Sequence, residues 1–130
     1  MTDPKAFIRD WLDVTTLGPE DKWHDCITDD VFMRFPYVPP QFAAEQRGRE
    51  AATAIFREVW KSFAQFAWTD VVVRKCEGED YYVTTAKSEA IRADGKPYGN
   101  EYVLLTRLRD GKVCEHIEYF NPNTGAADHG

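Results

Sequence analysis

The chain reads as an α+β domain in which three helices come first and a run of antiparallel strands follows. Three observations carry that reading. Apolar residues recur at helical spacing in the first 17 residues and again after Gly48. From Trp68 onward the pattern changes to β-rich runs of strand length. Those runs are separated by turn-forming groups, Glu77-Gly78-Glu79, Ala93-Asp94-Gly95 and Asp110-Gly111. Helices followed by a meander are expected to pack on one face of a single sheet.

In order, Asp3 is placed to cap a first helix with Pro4 at its first position, where the missing N–H is not needed. Phe7, Ile8, Trp11, Leu12 and Val14 form its apolar stripe, and Gly18-Pro19 ends it near Leu17. Pro19 opens a short second helix that turns Trp23, Cys26 and Ile27 inward. Asp29-Asp30 leads into a strand expected over Val31–Val38, and Pro39-Pro40 breaks it. The segment from Pro39 to Arg47 is polar and is expected to be a mobile loop. Gly48 opens the third helix, with Ala52, Ile55, Phe56, Val59, Trp60 and Phe63 on one face. Strands are expected at Val71–Val73, Tyr81–Ile91, Tyr102–Leu108 and Val113–Phe120. Residues 1–122 make one domain, and 123–130 form a flexible tail.

The 130 residues suffice for one core and a small cavity. An aromatic content of 14% can fill a core or line a concave site. A net charge of -6 argues against nucleic-acid binding, which needs a concentrated basic surface. No apolar stretch is long enough for a membrane span, and the N-terminus has no signal-peptide pattern. Three cysteines, Cys26, Cys76 and Cys114, fit reduced thiols, so a cytoplasmic protein is expected.

The last strand holds the most informative residue, Glu118. Side chains alternate along a strand, so Cys114, His116, Glu118 and Phe120 are expected on one face. An acid, an imidazole and a phenyl ring together suit the wall of an apolar pocket. There a carboxylate is harder to ionise and can take and return a proton. A two-residue hairpin at Asp110-Gly111 would pair Arg109 with Lys112, Leu105 with His116 and Val103 with Glu118. The opposite face would carry Tyr102, Leu104, Ile117 and Tyr119, which is too apolar for water and points to a homodimer through the outer sheet face.

Other candidates have two readings each. His116, about 6.5–7 Å from Glu118 along the strand, either serves catalysis or is structural. Arg34 is either a site for an anionic group or a surface cation, and Tyr37 is either a hydroxyl donor to a carbonyl or a core-edge ring. Trp11, Phe56, Trp60, Val103 and Phe120 line the pocket or fill the core. His24, His116 and Glu118 lack metal-ligand spacing, and no metal or cofactor is expected. Neither serine, Ser62 or Ser88, lies in a nucleophile-elbow sequence, and the glycines form no phosphate loop.

Three segments carry a resemblance that spans nearly the whole chain. They are Asp30-Val31-Phe32 leading to Phe35-Pro36-Tyr37, then Gly48-Arg49-Glu50-Ala51-Ala52, and finally Arg107 to Glu118. The chain resembles the SnoaL-like branch of the nuclear-transport-factor-2-like, or ketosteroid-isomerase-like, superfamily. The resemblance implies a cone-shaped barrel, with three N-terminal helices on a strongly curved, mostly antiparallel sheet. Polyketide cyclases of the family carry an Asp acid/base where Glu118 stands, within a Glu-His-Trp-Asp run; here the run is Glu115-His116-Ile117-Glu118. Glu118 to Pro122 is also similar to phenazine-biosynthesis protein A/B, where a Glu at that point serves a condensation. The expected function is a small enzyme using Glu118 and His116 for proton transfer on an apolar cyclic or aromatic metabolite. Isomerisation, cyclisation and condensation all fit, and a non-catalytic carrier is the alternative.

Overall fold

The computed structural model describes residues 3–39 and 42–123. Pro40, Gln41 and most of the expected tail lie outside them. Helix α1 spans Pro4–Leu17, α2 spans Glu20–Cys26 and α3 spans Arg49–Ser62. The strands are β1 Ile27–Arg34, β2 Glu45–Arg47, β3 Phe63–Lys75, β4 Tyr81–Arg92, β5 Pro97–Arg109 and β6 Lys112–Phe120. They form one sheet in the order β2-β1-β6-β5-β4-β3. Every pair is antiparallel except β1 with β6. The sheet curls beneath the three helices without closing, giving the expected α+β cone. No helix among the described residues is long and apolar enough to cross a membrane.

Local sequence explains the helix limits. Pro4 starts α1, and Gly18, at φ 73°, ends it while its N–H bonds to Val14 O at 3.0 Å. Arg57 closes on Glu20 through two bonds of 2.6 and 2.7 Å, tying α3 to α2. Those bonds, with His24, hold the Glu20 carboxyl down to about 2. Gly48, at φ 89°, turns the chain into α3. The guanidinium of Arg49 then reaches the carbonyls of His24 and Ile27, each at 2.8 Å, and the carboxylate of Asp29 at 2.9 Å.

Several boundaries differ from expectation. Strand β1 begins at Ile27 rather than Val31, with Asp29 and Asp30 inside it. Both acids face solvent and meet cations, Arg49 and Arg109 respectively, so they do not interrupt the strand. It ends at Arg34 because the chain turns at Pro36-Tyr37. The expected loop contains β2, which pairs with the end of β1. Helix α3 runs directly into β3 at Phe63, eight residues before the strand expected at Val71, so Phe63 belongs to the sheet and not to the helix.

The core lies between the helices and the inner sheet face. Ile8, Trp11, Leu12, Trp23, Val31, Met33, Leu104 and Val113 are all buried there. Trp23 is its centre, with ring centroids 6.2 Å from Trp11, 5.9 Å from Trp60 and 4.5 Å from Phe56, and its Nε1–H donates to Thr53 Oγ1 at 3.0 Å.

One irregularity corrects the expected register. Arg109 pairs with Lys112 as the hairpin requires, but Leu108 pairs with Val113 and Arg107 with Glu115, which leaves Cys114 as an extra residue. Beyond this bulge every partner shifts by one. Thr106, not Leu105, lies opposite His116, and Leu104, not Val103, lies opposite Glu118. Tyr102 and Leu104 therefore face the core, whereas Val103 is 41% exposed on the outer face. Val113, fully buried, takes the inward place expected of Cys114. The Cys114 thiol instead donates to Arg107 O at 3.5 Å, and burial raises its pKa.

Candidate functional site

Between the helices and the curled sheet is a cavity of about 230 Å³. Its wall is mainly apolar. The aromatic part comes from Phe35, Phe56, Phe63, Phe66, Trp68 and Phe120, and Val38, Phe42, Ile55 and Val59 complete it. Each element adds residues by its own periodicity: Ile55, Phe56 and Val59 lie on one face of α3, while Phe66 and Trp68 alternate on β3. The polar lining is sparse. Thr15 and Thr16 donate to their own helix carbonyls Leu12 O and Asp13 O, and Gln46 donates to Ala43 O at 2.8 Å. Glu118, Tyr98 and Tyr102 are the polar lining residues that remain.

Glu118 retains 18% side-chain exposure and is anchored from behind by His116, which has none. His116 Nε2 is 3.1 Å from Glu118 Oε1, and its Nδ1 is 3.1 Å from Thr106 Oγ1. A carboxylate only accepts, so Nε2–H donates to Oε1, and in the neutral imidazole Nδ1 then accepts the Thr106 hydroxyl. Trp11 packs edge-on against the imidazole, with ring centroids 4.8 Å apart. This stack fixes one carboxylate oxygen. Among the described residues no donor reaches Oε2, which is the atom available to a ligand.

Tyr98 and Tyr102 project from the inward positions of β5. They lie opposite Ala90 and Ala86 of β4, whose small side chains leave room for the rings. Tyr102 Oη is 2.9 Å from Ser88 Oγ. Burial, with added contributions from Tyr98 and the Glu118 charge, lifts its pKa far above the usual tyrosine range, so this phenol stays protonated through alkaline pH. Chemically, the cavity offers a carboxylate with one unengaged oxygen and neutral hydroxyls, among aromatic rings.

A family model described as SnoaL-like domain matches residues 8–116 of the chain. The chain belongs to the SnoaL-like family. No curated protein matches it in sequence. Among solved structures, this SnoaL-like chain superposes on a Bacillus subtilis protein assigned as an isomerase with a TM-score of 0.79 at 18% identity, covering 95% of this chain and 92% of the other. A Xanthomonas campestris protein assigned as a polyketide cyclase gives 0.79 at 15% identity, covering 98% and 96%. A phenazine biosynthesis-related protein from Pseudomonas aeruginosa gives 0.75 at 13%, covering 95% and 81%. At these identities the likeness is one of fold.

The candidate residues named from sequence divide into two groups. Glu118, Phe56 and Phe120 line the SnoaL-like cavity. The others do not. His116 is fully buried beneath Glu118 and is closed to a ligand. Trp11 is wholly buried behind His116, and Trp60 turns its Nε1 to Val14 O at 2.8 Å. Arg34 points to solvent because Met33 and Phe35 take the inward positions beside it. Tyr37 is 51% exposed and rests on Tyr119 of the outer face, 5.6 Å between centroids. Val103 was displaced by the bulge. His24 bonds to Glu20 and Arg49, and among the described residues no group of three or more His, Cys, Asp or Glu is placed to hold a metal. Sequence reasoning missed Tyr98, Tyr102, Phe66 and Trp68. The inward alternation Tyr98, Asn100, Tyr102, Leu104, Thr106 was the signal for the tyrosines, hidden by starting the strand at Tyr102.

Proposed function

We propose that this protein is a small acid/base enzyme that moves a proton on an apolar cyclic or aromatic ligand, with Glu118 as the base and then the acid. The observation that carries this is a carboxylate with a free oxygen on the wall of an aromatic cavity, its other oxygen fixed by a buried imidazole. Water-poor surroundings and a fixed geometry are what a carboxylate needs to take a proton from carbon next to a carbonyl. Glu118 accepts that proton, the C–H electron pair moves toward the carbonyl oxygen, and the proton returns to carbon. Return to a different carbon is isomerisation; attack of the enolate on a second carbonyl is cyclisation or condensation. This sequence of steps requires no cofactor. The isomerase, polyketide cyclase and phenazine-biosynthesis assignments of similar folds support the same class and a role in secondary metabolism.

The test is solvent-proton exchange. Cyclic ketones such as 1-tetralone, incubated with the protein in D2O, are expected to gain deuterium next to the carbonyl faster than in buffer. Ketones that bind yet exchange at the buffer rate would assign a carrier instead.

A second copy of the chain is proposed to cover the outer sheet face. Val72 and Val103, 40% and 41% exposed, lie there with Ile117 and Tyr119, an apolar surface on an otherwise charged protein. Sedimentation equilibrium at micromolar concentration should give twice the chain mass, and a monomer mass would remove the proposal. The three free thiols fit a cytoplasmic setting.

A further inference from the structure

The inner face of β5 holds a polar cluster that Glu118 chemistry alone does not use. Asn100, 7% exposed, sits between Tyr98 and Tyr102. Its Oδ1 accepts the backbone N–H groups of Glu101 at 2.8 Å and Asn121 at 2.9 Å. Its Nδ2 donates to Asn121 O at 3.0 Å and to Tyr98 Oη at 2.8 Å. The amide orientation is therefore fixed, because a flip would set the NH2 group against two N–H donors. Tyr98 Oη must be an acceptor in this contact, so its own proton remains to be given.

The cluster extends to Ser88 and Tyr102. The backbone N–H of Asn100 donates to Ser88 Oγ at 3.1 Å, and Ser88 Oγ lies 2.9 Å from Tyr102 Oη. Donation from the backbone N–H groups of Glu101 and Asn121 onto the Asn100 amide, and from that amide onward, thus ends on the Tyr98 hydroxyl. Successive hydrogen bonds in one sense polarise one another and strengthen the last donor. Tyr98 is half-buried and lines the cavity that Glu118 also lines.

We infer that Tyr98 is the hydrogen-bond donor to a carbonyl oxygen of the bound molecule, and that the ligand class is therefore a cyclic ketone or related carbonyl compound. The inference deepens the proposed function by naming the partner of the reacting carbonyl. A neutral phenol held by Asn100 would donate to the oxygen on which negative charge develops when the adjacent carbon loses its proton. Asn100 acts through Tyr98 as a positioning residue.

The test reads binding, so it stands apart from the role of Glu118. 1-Tetralone accepts hydrogen bonds and donates none, and tetralin has the same rings without the oxygen. Tyr98→Phe is expected to weaken 1-tetralone about tenfold, the scale of one lost hydrogen bond, and to leave tetralin within about twofold. The carbonyl stretch of bound 1-tetralone should lie lower in the wild-type protein than in apolar solvent, and should recover in Tyr98→Phe. Equal weakening of both ligands, or an unshifted carbonyl stretch in the wild-type protein, overturns the inference; the second reading needs no variant to fold. If Glu118→Gln lost no exchange activity, the Glu118 assignment would fail while the ketone-specific loss in Tyr98→Phe still stood.

Discussion

Glu118→Gln is expected to slow deuterium exchange into bound 1-tetralone by about 10²- to 10⁴-fold, the usual contribution of a positioned general base. Binding should change little, because the substitution preserves shape and leaves an amide oxygen to accept from His116 Nε2, as the carboxylate does at 3.1 Å. Stability should also hold, since the side chain keeps its size and its place on the cavity wall. The separation of rate from binding is the useful part. A residue that only packed the wall would move affinity and melting temperature together, whereas a proton acceptor moves the rate alone. Glu118→Asp keeps the charge but withdraws it by one methylene, so exchange is expected to fall between the two, with the His116 bond stretched or lost.

The largest expected effect on stability comes from Trp23→Ala. Trp23 is fully buried where α1, α2 and α3 converge, and its indole touches Trp11, Phe56 and Trp60. Truncating a buried tryptophan leaves a void that its aromatic neighbours fill only in part, at a cost of about 3–5 kcal/mol. Its Nε1–H bond to Thr53 disappears as well, although Thr53 Oγ1 keeps its own bond to Arg49 O at 2.6 Å. Urea unfolding should show the midpoint falling with an unchanged slope, the sign of lost stability without a change in what unfolds. The consequence reaches the site through Phe56, which packs on Trp23 from one side and lines the cavity from the other. Ligand affinity is therefore expected to drop with stability, the opposite of the pattern at Glu118.

These two residues also show what the sequence made legible. Trp23 could be assigned to the interior because a short helix opened by Pro19 has only one face to bury. The inward direction of Glu118 followed from strand alternation, and the three helices and the meander followed from periodicity and turn residues. What failed was local. A single extra residue, Cys114, reversed the parity between β5 and β6, and so sent Val103 outward and Tyr102 inward. No periodicity argument detects a bulge, since each strand still alternates on its own side of it. Asp29 and Asp30 looked like a turn because their cationic partners are distant in sequence, Arg49 and Arg109. Arg34 and Tyr37 could not be given a face until Met33 and Phe35 were seen to occupy the interior. The cavity itself is a property of how α3 and the 42–46 segment sit over the sheet, a distance that no single element encodes.

The account depends on the cavity receiving a carbonyl compound in one orientation. A crystal structure with bound 1-tetralone tests this most directly. The expected result places the rings among Phe56, Phe66 and Trp68, the carbonyl oxygen within hydrogen-bonding distance of Tyr98 Oη, and the adjacent CH2 about 3–3.5 Å from Glu118 Oε2. Rings bound outside the cavity, or a carbonyl turned away with the CH2 out of reach of Glu118, would contradict it.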